Sequence, residues 1–167
     1  SAMTIKDVSP EIARLIGEET ERQQKTLRFI PSENYASPAV CEALGSIFTN
    51  KYGEGYPGRR YYQGQPKTDE LENMVRDKAT ALFGYPHANV QALSGAPANL
   101  AVYAAFLPPN KGGKIMAMRL DHGGHLTHGS PVSVTGSWWN FAHYGVNSDD
   151  VLDMDDIRQQ ALEFKPD

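Results

Sequence analysis

The stretch from Ala98 to Leu107 constrains this chain most, because it is almost wholly apolar, opened by Ser94-Gly95-Ala96-Pro97 and closed by Pro108-Pro109. Its longest unbroken apolar run, Leu100 to Leu107, has eight residues, far fewer than the ~18 a bilayer span requires. A helix apolar on every side must be buried on most of them, so other elements have to layer around it.

The flanking sequence supplies those elements in alternation. A largely solvated helix is predicted over residues 9–28, where Ile12, Leu15 and Ile16 form a thin apolar stripe among many charges. After Pro31 and Pro38, the spacing of Val40, Leu44, Ile47 and Phe48 predicts a short helix. Thr68 is expected to cap a helix whose Asp69 and Glu70 suit its N-terminus, whose face is Leu71, Met74, Val75, Ala79 and Leu82, and which Gly84 and Pro86 stop. Strands are predicted at Asn89 to Leu93, Lys114 to Leu120 and Trp138 to Tyr144, and Asp153 is expected to cap a last helix carrying Met154, Ile157, Ala161 and Phe164. This alternation predicts an α/β fold with a mostly parallel sheet. Lys165-Pro166-Asp167 reads as the turn into a further parallel strand, so the chain is expected to be the N-terminal piece of a longer one.

Composition removes several classes. With 40% hydrophobic and 22% charged residues the chain is an ordinary globular protein. A net charge of −4 has the wrong sign for a phosphate-backbone binder, so no nucleic acid is expected, and no segment suits a membrane or a secretory signal. The single cysteine, Cys41, suits a reducing cytoplasm and is expected to be a core thiol. Ser1-Ala2-Met3 reads as a cloning remnant.

Three segments could carry chemistry. At Ser94-Gly95-Ala96 a strand-to-helix turn offers unpaired N–H groups to an anion, or is simply a serine cap. The stretch Asp121-His122-Gly123-Gly124-His125-Leu126-Thr127-His128-Gly129 spaces three imidazoles by three. Zinc, ligand-free histidines and an organic cofactor or substrate are the alternatives there. The glycines and the lack of an H-E-x-x-H or cysteine pattern weigh against metal, and none is expected. Residues 49–64 concentrate glycines, tyrosines, Glu54, Arg59 and Arg60 in a long loop that suits proton transfer and anion binding, or an oligomer interface.

Taken together, Ser32-Glu33-Asn34-Tyr35, the run from Thr49-Asn50-Lys51-Tyr52 through Glu54-Gly55-Tyr56-Pro57-Gly58 to Arg60-Tyr61-Tyr62, Ser94-Gly95 with Ala98-Asn99, and His122 to Gly129 resemble serine hydroxymethyltransferase. The resemblance runs from about residue 30 to the end. It implies a pyridoxal 5′-phosphate enzyme of the aspartate aminotransferase fold (fold type I) that interconverts serine and glycine and passes a one-carbon unit to tetrahydrofolate. Residues 4–50 would be an N-terminal helical arm, and residues 51–167 part of the large cofactor-binding domain. Ser94, Gly95 and Ala96 would hold the cofactor phosphate, His125 would stack on its ring, and Tyr52 would reach the neighbouring subunit's phosphate. The resemblance gives catalytic roles to Glu54, Tyr62 and His125, substrate contacts to Ser32, Tyr61 and Tyr62, and folate contacts to Leu120, Gly124, His125 and Leu126. It also implies a cytoplasmic homodimer or higher homo-oligomer.

In that family the Schiff-base lysine, the aspartate partner of the pyridine nitrogen and the arginine for the substrate carboxylate lie downstream. Residues 1–167 are therefore expected to be inactive alone. The alternative is a non-catalytic interaction domain that pairs with a full-length subunit. Pro31, where the family often has Ala, and Ala96-Pro97, in place of Ser-Gln or Ala-Gln, depart from the family pattern. Pro108 to Gly113 and Trp138-Trp139 are also unusual.

Overall fold

A computed structural model describes residues 3–167; of the cloning remnant read at the N-terminus, residues 1 and 2 lie outside the described residues. The chain divides into two units, the first running through Asp69 and the second spanning Glu70–Asp167.

In the first unit, α1 (Ile5–Val8) leads directly into α2 (Pro10–Lys25). Thr4 donates its N–H and hydroxyl to Asp7, and the Ser9 hydroxyl accepts the Ile12 N–H, so each start has a polar cap. Pairs such as Arg14–Glu18 and Arg22–Glu19 lie along α2, while Ile12, Leu15 and Ile16 remain about half exposed. Ser37 caps α3 (Pro38–Leu44), and a 3-10 turn follows at Ile47–Asn50. Cys41 is exposed, not a core thiol, because seven-residue α3 buries none of its residues. The tyrosine-rich loop contains a small antiparallel ribbon, β1 (Gly55–Tyr56) against β2 (Arg59–Arg60), where an irregular loop was expected.

Helix α4 (Pro66–Phe83) starts earlier than the expected Thr68 cap. Pro66 takes the first helical position, where its missing N–H costs nothing, and the Gln65 carbonyl accepts the Asp69 N–H. The predicted strand at Asn89 to Leu93 does not form. Instead the Asn89 side chain accepts the Gln91 N–H at 3.0 Å, a local turn that competes with a ladder, and Gln91 bonds Glu72 of α4 at 2.8 Å.

The second unit is built on α5 (Gly95–Phe106), β3 (Lys114–Met118), α6 (Val134–Trp138), β4 (Asn140–Tyr144) and α7 (Met154–Phe164). Strands β3 and β4 are parallel, in register from Lys114↔Asn140 to Met118↔Tyr144, which gives the α/β layering and parallel pairing read from the sequence. The third strand is shorter than expected, since residues 134–138 turn into α6, and Leu120 falls in a 3-10 turn beyond β3. Asp153 caps α7 as predicted, accepting the N–H groups of Asp155 and Asp156. The Asp167 N–H bonds the Lys114 carbonyl at the start of β3.

Tyr103 packs edge-on against Trp139 and Phe141, and Trp139 donates its indole N–H to the Leu107 carbonyl at 2.8 Å. The apolar α5 is nevertheless not buried on most sides: Val102 is 54% and Phe106 80% exposed. Two strands about 5 Å apart cover one stripe of a helix and no more. No described helix is long and apolar enough to cross a membrane.

Candidate functional site

The tyrosine-rich loop is organised from below by one ion pair. Arg60, whose side chain is 4% exposed, donates Nη1 to the carbonyls of Gly53 and Gly55 and Nε to Asp69 at 2.8 Å. The other Asp69 oxygen accepts the Gly58 N–H at 2.9 Å. That N–H and the Arg60 guanidinium hold the Asp69 carboxyl below the usual carboxylate range. Glu54 sits between the two clamped carbonyls with its side chain exposed, and its own carbonyl accepts the Tyr61 N–H. Gly55 has φ +95°, and a Cβ there would strike the Arg59 carbonyl, so only glycine closes this ribbon.

Gln65, which is buried, donates its amide to the Tyr52 carbonyl at 2.6 Å, and its own oxygen is buried without a partner among the described residues. Tyr52 and Tyr62 meet edge to face with ring centroids 5.9 Å apart, and Tyr61 projects outward. The structure thus brings Tyr52, Glu54, Tyr61 and Tyr62 onto one loop. Ser32 lies exposed in a separate turn, where the Ile30 carbonyl accepts the Glu33 N–H and Arg28 stacks over Tyr35 at 4.1 Å.

In the second unit, Ser94 precedes α5 with extended backbone and its hydroxyl makes no capping bond. Ala98 is the first residue whose N–H bonds back, to the Ser94 carbonyl, and Pro97 has none to offer. The N–H groups of Gly95 and Ala96 and the Ser94 hydroxyl are exposed donors at the positive end of a 12-residue helix. A hypothetical Cβ on Gly95 meets nothing within 4 Å, so a bulky anion has room.

The histidine-rich loop follows β3. Gly123 turns left-handed at φ +106°, and Gly124 lies so close to the Met118 and Arg119 carbonyls that a Cβ would overlap both. Backbone N–H groups then fix the imidazoles: Val146 donates to His122 Nδ1 at 2.9 Å, Thr127 to His125 Nδ1 at 3.1 Å, and His125 to His128 Nδ1 at 3.0 Å. An amide N–H can only donate, so each of these Nδ1 atoms lacks a proton and each ring carries its hydrogen on Nε2. His143 Nε2 donates to the His128 carbonyl at 2.6 Å. Burial, followed by the charges of His125 and His143, pushes His128 below the usual histidine value. No group of three His, Cys, Asp or Glu side chains converges as a metal site among the described residues.

Leu120 and His125 line one cleft of about 430 Å³ with Arg119, His128 and His143. Arg119 pairs with Asp121 at 2.6 Å, and that bond lowers the Asp121 carboxyl. The loop and α5 are joined by Asn99, which donates to the Thr127 hydroxyl at 2.8 Å, so the anion-binding turn and His125 share one support. Sequence spacing singled out the histidines but not Thr127, Tyr103 or Gln65, whose roles rest on contacts distant along the chain. A polar Asn99 within an otherwise apolar helix was the one signal available.

The family model for serine hydroxymethyltransferase matches residues 5–167. A serine hydroxymethyltransferase of Desulfotalea psychrophila is 54% identical over 166 residues, 99% of this chain. Those of Acidothermus cellulolyticus and Kocuria rhizophila are each 52% identical, over 99% and 97% of it. The chain spans 38–39% of the length of these curated relatives.

Proposed function

This chain belongs to the serine hydroxymethyltransferase family, and from that premise we propose that it is the N-terminal portion of an enzyme that interconverts serine and glycine with transfer of a one-carbon unit to tetrahydrofolate. The observation that carries the reading is the shared support of the helix α5 N-terminus and His125, tied through Asn99 and Thr127. Residues 4–50 form the helical arm in this reading, and residues 51–167 part of a fold type I cofactor domain in a cytoplasmic homodimer or higher homo-oligomer.

The residues fit pyridoxal 5′-phosphate. The Ser94 hydroxyl and the N–H groups of Gly95 and Ala96, uncommitted among the described residues, are donors suited to a phosphate dianion at a helix N-terminus. Bound there, the cofactor supplies an electron-withdrawing ring that makes bonds to an amino acid's α-carbon labile. His125 presents a flat imidazole to that ring, and Tyr52 reaches the phosphate of the neighbouring subunit. Glu54 holds or moves the proton at the hydroxymethyl oxygen; its exposed carboxyl on a clamped backbone suits that task. Ser32, Tyr61 and Tyr62 orient the amino acid, and Leu120, Gly124, His125 and Leu126 receive the folate.

Residues 1–167 alone are proposed not to turn over, since the family's lysine nucleophile lies downstream. The test titrates pyridoxal 5′-phosphate into the complete protein and into residues 1–167 in parallel, then assays serine-dependent formation of methylenetetrahydrofolate. Turnover by the complete protein alone is expected. A complete protein that leaves the cofactor spectrum unchanged would remove the reading. Exposed Tyr52, Tyr56 and Tyr61 favour a second role as a contact surface for a full-length subunit, which co-elution on size exclusion checks.

A further inference from the structure

The Thr127 hydroxyl is buried, with the residue 5% exposed, and meets two polar groups: Asn99 Nδ2 at 2.8 Å and His125 Nδ1 at 2.8 Å. One arrangement of protons satisfies both. Asn99 Nδ2 can only donate. His125 Nδ1 already accepts the Thr127 N–H, so it carries no proton and can only accept. The hydroxyl proton therefore goes to Nδ1, and an Oγ1 lone pair takes the Asn99 N–H.

We infer that Thr127, oriented by Asn99 of α5, is a positioning residue that fixes His125 in its Nε2–H tautomer and sets the plane of its ring. The N-terminus of that same helix carries the donors of Ser94, Gly95 and Ala96. One rigid element thus sets both the anion site and the attitude of the imidazole, while Nε2–H has no partner among the described residues. A neutral ring held this way can stack on a flat, electron-poor partner without placing a second cation there. The inference deepens the cofactor reading of His125 and rests on it for its functional meaning.

The test labels the histidines of the complete protein with ¹⁵N and reads each ring by long-range proton–nitrogen correlation, which separates protonated from bare ring nitrogens. His125 Nδ1 is expected to be bare. In Thr127→Val the ratio of the Nε2–H to the Nδ1–H form should fall about two- to tenfold, the range that one lost hydrogen bond commands, and Thr127→Ser should restore it. Should Thr127→Val disturb the amide spectrum of the loop, Asn99→Ala keeps the hydroxyl but frees its rotation, and must move the ratio the same way. A protonated Nδ1 in the wild type, or an unchanged ratio in the substituted proteins, overturns the inference. Adding pyridoxal 5′-phosphate separates the two claims: His125 resonances that do not move while Thr127→Val still shifts the tautomer would remove the cofactor reading and leave the positioning role standing.

Discussion

The loop around Glu54 and the loop around His125 are held by opposite means. In the first, a buried guanidinium reaches the carbonyls of Gly53 and Gly55, so the backbone is fixed while Tyr52, Glu54 and Tyr61 stay exposed. In the second, backbone N–H groups reach the rings of His122, His125 and His128, so the side chains themselves are fixed. A clamped backbone leaves carboxylate and phenol groups free to follow a substrate, which suits proton transfer. A clamped imidazole presents one face and one N–H in a set attitude, which suits a flat partner.

The comparison breaks most sharply at Gly124. An added Cβ there would overlap backbone carbonyls that cannot swing aside, so Gly124→Ala is expected to weaken the histidine loop by about 3 kcal/mol. Hydrogen exchange at the His125 amide should rise about 100-fold while the Gly58 amide keeps its protection, because each 1.4 kcal/mol is about tenfold. Equal loosening of both loops would show that they are not separately held.

Arg60→Met tests the other side. It keeps much of the buried stem but removes the charged bonds to two carbonyls, and is expected to cost about 2 kcal/mol at the Glu54 loop. Exchange at the Gly58 amide should then rise about 30-fold with the His125 amide unaffected. If Gly58 keeps full protection, the clamp is not what sets this loop.

Much of this arrangement was legible in the sequence, and the exceptions have a common cause. Helices α2 and α7 and the pair β3 and β4 announce themselves through local patterns: charge spacing, an aspartate cap, short apolar runs. Asn89 to Leu93 has strand-like composition, but its asparagine satisfies the backbone locally, a choice that periodicity does not report. The exposure of Phe106 was hidden for a related reason: an apolar pattern says that a face wants covering, not that residues 70–167 supply the cover. At the site, the imidazoles and tyrosines were visible by type and spacing. Their holders, Thr127 and Gln65, are tied to Asn99 and Tyr52 across folded contacts, so no local pattern marks them.

The smallest expected effect, and the finest division between the loops, lies in pH. His128 must accept the His125 N–H on Nδ1, and protonation removes that lone pair. Burial first, then the charges of His125 and His143, lower the folded His128 below its ordinary 6.5, against the opposing bond to the Met118 carbonyl. Between those two values the unfolded chain binds the extra proton and the folded loop does not, so stability falls as pH drops from about 6.5. Asp69 is lowered from 3.8, chiefly by the Gly58 N–H and then by Arg60, so its contribution is complete above about 3.8 and disappears only as pH falls through its lower folded value. Protection factors at the His125 amide should therefore decline as pH falls below about 6.5 while those at the Gly58 amide stay level until pH falls below about 3.8. His128→Gln, whose side-chain oxygen can still accept the His125 N–H, should flatten the first profile and leave the second alone. A Gly58 amide that loosens in step with His125 would mean that one titration governs both loops.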